Sequence, residues 1–178
     1  MSGLISLADI LLPTKRKIFV SYHHDNDQIY KNILVRAFAQ QFEIITDNSL
    51  SRALDSDDPD YVSRRIRENH ISGSSCTIVL CGSETRWRKY VDWEIKATLD
   101  KEHGIIGVHL PTNLPDSLGG VHKPDRLQDN IDSGYAVWID WGSFVSSLEA
   151  LNHYIEIAIN KSSRLINNSR TMRRRNGT

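Results

Sequence analysis

SCTIVLCG, residues 75–82, is the most hydrophobic run in this chain, rich in β-branched residues and bounded by Gly73 and Gly82. A short apolar run without polar alternation fits a strand covered on both faces, as in the middle of a parallel sheet. Such a strand needs helices on both sides of its sheet, and the flanking sequence supplies them. KIFVSY (17–22) reads as a strand, followed by an amphipathic helix over 25–41 that opens on acidic residues. FEIIT (42–46) is the next strand, and a polar connector covers 47–58. Pro59 starts a helix to about Asn69, with Asp58 placed to cap it. After the central run come a helix from about Glu84 to Lys101 and a strand, GIIGVHL (104–110). The sequence continues with a Pro-, Gly-, Asp- and Asn-rich loop over 111–134, a fifth strand YAVWIDW (135–141) and a closing helix over 143–160.

Five strands alternating with helices predict an α/β fold, a flavodoxin-like three-layer sandwich with a mostly parallel five-stranded sheet of order 2-1-3-4-5. The length of 178 residues fits one domain, here 15–160, with an N-terminal arm at 1–14 and a tail at 161–178. In such sheets a ligand binds beyond the carboxyl ends of the strands, at the switch point between the first and third. That places the candidate cleft at Ser21 to Asp25 and Gly82 to Trp87.

The net charge of zero hides an asymmetry. The tail carries six basic residues and no acid, while the remaining 160 residues hold 16 basic and 22 acidic side chains. An acidic domain of this kind does not resemble a nucleic-acid binder. The short basic, Ser/Asn-rich tail reads as disordered, so its removal is expected to matter little to stability. Cys76 and Cys81 lie five apart on one strand and leave it on opposite faces, which fits reduced cysteines in a cytoplasmic protein. No stretch approaches the ~18 apolar residues of a membrane span.

KYVDWEI (89–95) poses the chemical question, because a carboxylate stands among apolar residues. On a helical wheel with Trp87 at zero, Val91, Ile95 and Leu99 fall at roughly 40, 80 and 120°. Glu94 falls near −20°, inside that apolar arc, whereas Lys89, Asp92, Trp93, Lys96 and Asp100 occupy the opposite sector at about 140–240°. A core-facing carboxylate needs a partner or a cavity. It is either half of a buried ion pair, with Arg86 or a histidine, or a group facing the cleft.

SYHHDND (21–27) gathers polar groups at the cleft edge, although Asp, Asn and Ser are also ordinary turn residues. Ser21, Tyr22, His23 and His24 are candidate substrate contacts, as is Asp47 at the end of the second strand. Adjacent histidines without accompanying ligand spacing do not form a metal site. Ser83 can take an anion or cap the following helix. A response-regulator reading fails because the third strand ends Cys81-Gly82-Ser83 instead of in an aspartate. No dinucleotide-binding glycine motif, P-loop or G-x-S-x-G elbow occurs. Trp138 and Trp141 read as packing residues.

KIFVSYHHDND resembles the first box of TIR domains, a strand ending F-V-S-Y before an acidic turn. CTIVLCGSETRWRKYVDWEI resembles their strand, serine turn and helix leading to W-x-x-x-E-[LI]. Together with I-I-G-V-H and a late strand ending in tryptophan, the chain is similar to the TIR-like group of bacterial Thoeris anti-phage proteins over roughly 15–160. The resemblance implies that Glu94 is the catalytic glutamate for cleaving the nicotinamide–ribose bond of NAD. Tyr90 then stands where the family usually has tryptophan, and Val91 where many members have cysteine. Phe19, Tyr22 and Trp87 would stack on a base, with Arg86 among the substrate contacts and the 47–58 connector shaping the pocket or a self-association surface.

NAD is a substrate in this reading, and no cofactor or metal is expected. The resemblance implies as product a cyclic ADP-ribose isomer, or another ADP-ribose conjugate, that activates a separate effector protein, with homo-oligomerisation as a further expectation. Two alternatives remain: a non-catalytic module for protein–protein assembly, and glycosyl transfer like that of nucleoside deoxyribosyltransferases.

Overall fold

A computed structural model describes residues 15–46 and 58–177. Its centre is one five-stranded sheet of order β2-β1-β3-β4-β5, every neighbouring pair being parallel. The strands are β1 (Arg16–Ser21), β2 (Phe42–Thr46), β3 (Cys76–Cys81), β4 (Gly104–His109) and β5 (Val137–Asp140). All five lie where the apolar runs place them, and β3 is buried along its whole length. Ile18 pairs with Cys76, and Ile78 with Ile106, which sets the first and third strands side by side at the switch point.

Strand alternation divides the core into two. Ile18, Val20, Cys76, Ile78, Leu80, Ile106 and Val108 face one side, where they meet α1 (His24–Phe38) and α6 (Leu148–Ile159). Phe19, Val79, Cys81 and Ile105 face the other, against α2 (Pro59–Ile66) and α3 (Lys89–Asp100). Each fully buried aliphatic or aromatic side chain stabilises by ~1.5–3 kcal/mol, so this double burial explains why β3 is apolar apart from Thr77. Cys76 and Cys81 sit in opposite layers, both free. At Gly104 a Cβ would lie 2.8 Å from the Ala158 carbonyl carbon and the Ile159 nitrogen, because α6 crosses β4 in direct backbone contact.

Local signals account for the helix ends. Asp58 accepts from the N–H groups of Asp60 at 3.0 Å and Tyr61 at 3.3 Å, with Pro59 opening α2. A π-helical turn, Arg67–Ile71, then continues α2. Ser147 caps α6 by accepting from Ala150 N at 3.0 Å. The helix expected from Glu84 is interrupted: a 3-10 turn, Thr85–Trp87, precedes α3, and Arg88 between them is extended. The closing helix is likewise preceded by a separate short one, α5 (Trp141–Phe144).

Two expectations are corrected. The loop over 111–134 contains a helix, α4 (Asp125–Asp132), which is held by the buried Arg126, Leu127 and Asn130, with Leu127 in the core and Ile131 packed against it. The tail is packed instead of disordered. Asn130 exchanges two hydrogen bonds with Asn167, its Nδ2 reaching Asn167 O at 2.8 Å and its Oδ1 accepting from Asn167 N at 3.0 Å. Arg170 grips Asp129 with two bonds of 2.7 and 2.8 Å. Trp93 Nε1 donates to Arg173 O at 2.7 Å. The charge asymmetry is thereby explained, since the basic tail lies on acidic residues of α4. The N-terminal arm, Asp47 and nearly all of the 47–58 connector lie outside the described residues. No helix among those described is long and apolar enough to cross a membrane.

Candidate active site

Ser21 ends β1, and α3 brings Glu94 to it across the switch point. Glu94 is only 4 % exposed, and Ser21 Oγ donates to its Oε2 at 2.5 Å. The backbone of this helical turn is also fixed from below. Thr98 Oγ1 donates to Glu94 O at 2.8 Å and lies 2.7 Å from Thr77 Oγ1 on β3. A hydroxyl has one proton, so Thr77 is the donor in the second contact. Sheet, helix and carboxylate are thus tied in one hydrogen-bonded chain, and Arg86, the cation that the wheel offers to Glu94, points elsewhere.

A cavity of about 280 Å³ opens over Glu94, near the lower end of the range for ligand sites. Tyr22, His23, His24 and Tyr90, all singled out in the sequence, line it. Tyr22 and His24 stack with ring centroids 4.4 Å apart and planes 4° from parallel, forming an aromatic wall. His23 is buried, and its Nδ1 has no hydrogen-bond partner. Burial, then the nearby Arg88 guanidinium, push its pKa below the ordinary histidine value, so the imidazole is neutral at neutral pH. Asp25, which bounds the expected cleft, completes the lining with Arg88, Val91 and Asn176, none of the three a candidate contact from the sequence. Arg88 could have been noticed as a cation immediately before the Glu94 helix. Asn176 gave no such signal.

Four other candidates go elsewhere. Phe19 is fully buried among Val62, Ile66, Ile71, Trp93 and Ala97, leaving no face for a base. Ser83 is exposed on the turn after β3, outside the lining and well before the start of α3. Arg86 stacks on the Trp87 ring at 4.0 Å and meets His122 Nδ1 at 2.5 Å. Both Arg86 and Trp87 lie outside the Glu94 cavity; Arg86 borders a second one of about 400 Å³. Among the described residues no group of three or more His, Cys, Asp or Glu is arranged to hold a metal.

The turn leaving β3 rests on the buried Asp27. Thr85 Oγ1 lies 3.1 Å from Asp27 Oδ2 and accepts from Gly82 N at 2.9 Å. Burial raises the Asp27 pKa above the usual carboxylate value. A Cβ on Gly82 would stand 2.2 Å from Asp27 Oδ1, a clash that a buried carboxylate cannot swing away from. Gly82→Ala is therefore expected to cost about 1–3 kcal/mol, lowering Tm by several degrees at ~2–4 °C per kcal/mol. An unchanged melting temperature would show that this turn is not tightly packed.

Sheet order, helix placement and a buried glutamate at the switch point define a TIR-like domain. The family model described as Thoeris protein ThsB, TIR-like domain, matches residues 19–114, more than half of the chain, and the chain belongs to that family. The matched span includes Ser21, Tyr22, Arg88, Tyr90 and Glu94; it excludes α4, α6 and the tail. No curated protein matches the chain. Among solved structures, the TIR domains of the activated Roq1 resistosome directly recognizing the pathogen effector XopQ align over 82 % of each chain at 9 % identity, with a TM-score of 0.39.

Proposed function

We propose that this chain cleaves the nicotinamide–ribose bond of NAD and releases an ADP-ribose-derived, cyclic signal nucleotide that activates a separate effector in anti-phage defence in the cytoplasm. The supporting observation is Glu94: a carboxylate with 4 % exposure, oriented by Ser21, at the floor of a cavity walled by aromatic rings.

In this reaction the ribosyl C1′–N bond breaks and its electron pair goes to nicotinamide, which leaves neutral. The ribosyl centre becomes oxocarbenium-like, as in glycoside hydrolysis. A fixed carboxylate in a water-poor cleft stabilises that developing positive charge. Tyr22, His24 and Tyr90 offer faces for a ring, and Arg88, whose Nη2 is paired with Glu84, adds positive charge on the side of the pyrophosphate. Capture of the ribosyl centre by water gives ADP-ribose and a proton. Capture by a nucleophile of the same ADP-ribose gives a ring. A cavity of about 280 Å³ has the size of the reacting end of the dinucleotide, not of the whole molecule.

The test is mass spectrometry of NAD incubated with wild type and Glu94→Gln, at high protein concentration and in lysate from phage-infected cells. Nicotinamide with an ADP-ribose-derived product, lost in the variant, is the expected result. Absence of product under both conditions would turn the reading toward an assembly module.

A further inference from the structure

The family match stops at residue 114, yet residue 176 completes the wall of the Glu94 cavity. Two hydrogen bonds bring it there. Asn176 Oδ1 accepts from Lys89 N at 2.9 Å, and Gly177 N donates to Trp87 O at 3.0 Å. The N–H groups of a helix's first turn need outside acceptors, and Arg88 at the N-cap of α3 provides none from its side chain. The tail supplies that acceptor, fastening itself across the start of the helix that carries Glu94.

This contact fixes the polarity of the Asn176 amide. With Oδ1 engaged by Lys89, the groups left to serve a ligand are the two N–H donors of Nδ2. They stand in the same wall as Arg88, whose Nη2 is paired with Glu84 and whose Nε is buried without a hydrogen-bond partner. A wall holding a guanidinium and an amide donor suits a ligand rich in acceptor oxygens.

We infer that Asn176 is a substrate-binding residue delivered by the C-terminal tail, donating hydrogen bonds to the phosphate or ribose oxygens of the ADP-ribosyl part of NAD. This inference rests on the NAD-cleaving reading above. Under it, the tail is part of the binding site, and residues beyond the matched family segment set substrate affinity.

Asn176→Asp separates capping from ligand binding, because a carboxylate still accepts from Lys89 N–H but cannot donate. NAD binding is measured by calorimetry in a Glu94→Gln background, with residue 176 as Asn, Asp or Ala. The expected result is about a tenfold weaker Kd for both substitutions. The Asp form should retain the melting temperature, and in the active background it should raise KM more than it lowers kcat. Wild-type affinity in the Asp form, with loss only in the Ala form, would make Asn176 a helix cap alone and overturn the inference. NAD cleavage indifferent to residue 176 would overturn it while leaving the NADase reading intact. A protein that neither binds nor cleaves NAD would remove both.

Discussion

Glu94→Gln is expected to slow nicotinamide release from NAD by at least about a hundred- to a thousandfold while leaving the melting temperature nearly unchanged. Glutamine matches glutamate in length and shape, and its amide oxygen can still accept from Ser21 Oγ. Packing beside Val91 and Ile95, both buried, is retained. Only the negative charge is lost, and under the proposed mechanism that charge stabilises the ribosyl cation. Glu94→Asp makes a useful companion: it keeps the charge but withdraws it by one methylene. A misplacement of ~1 Å can cost about a hundredfold, so this variant should also be slow. Equal turnover by wild type and Glu94→Gln would end the catalytic assignment. A collapse in Tm on the Gln substitution would instead mark Glu94 as a structural charge.

The parts of this molecule legible in the sequence are those in which one physical preference dominates. The central strands β1, β3 and β4 are apolar runs that a two-sided sheet buries, and the half-buried edge strands β2 and β5 flank them, so the order follows from pattern and connection rules. The helical wheel placed Glu94 inward correctly. It set Asp92 and Trp93 toward solvent, whereas both are buried. A wheel assumes one covered face, but α3 lies between the sheet, α2 and the returning tail, and eight of its residues are buried.

The candidate residues divide for similar reasons. Ser21 and Phe19 point to the same side of β1, but Ser21 ends the strand at the cleft rim. Phe19, two residues inward, is roofed by α2 and α3. Helix α4 and the tail are harder to read because α4 has only Leu127 and Ile131 on its apolar face, and much of what holds both segments is polar contact between them. Their signal in the sequence is the opposite charge of tail and domain, which marks a docking pair and not a disordered segment.

That docking centres on Arg126, and Arg126→Ala is expected to be the most destabilising single change outside the apolar core. The side chain is 0 % exposed. Its Nε donates to Asp92 Oδ1 at 2.9 Å, and Nη2 reaches Asp92 Oδ2 at 3.4 Å. Nη1 donates to Asn168 Oδ1 at 2.8 Å and Nη2 to Thr171 O at 3.2 Å, both on the tail. Asp92 Oδ2 also accepts from Arg173 N at 2.8 Å. One guanidinium therefore joins α3, α4 and the tail.

Alanine would leave Asp92 buried without its counter-ion, and breaking a buried pair from one side costs about 3–5 kcal/mol. At ~2–4 °C per kcal/mol for a chain of this size, Tm should drop by roughly 10 °C. Replacing both partners by apolar residues, Arg126→Met with Asp92→Leu, should cost less than either single change, because no charge is stranded. Deleting the chain beyond Ile166 removes Asn168, Thr171 and Arg173 while leaving the ion pair, so it should fall between wild type and Arg126→Ala. This reverses the expectation that the tail is dispensable to stability. A melting temperature for Arg126→Ala within a degree or two of wild type would refute the network. If the network holds, the same loss should release Asn176 from the Glu94 cavity, because Thr171 and Arg173 anchor the segment that carries it there.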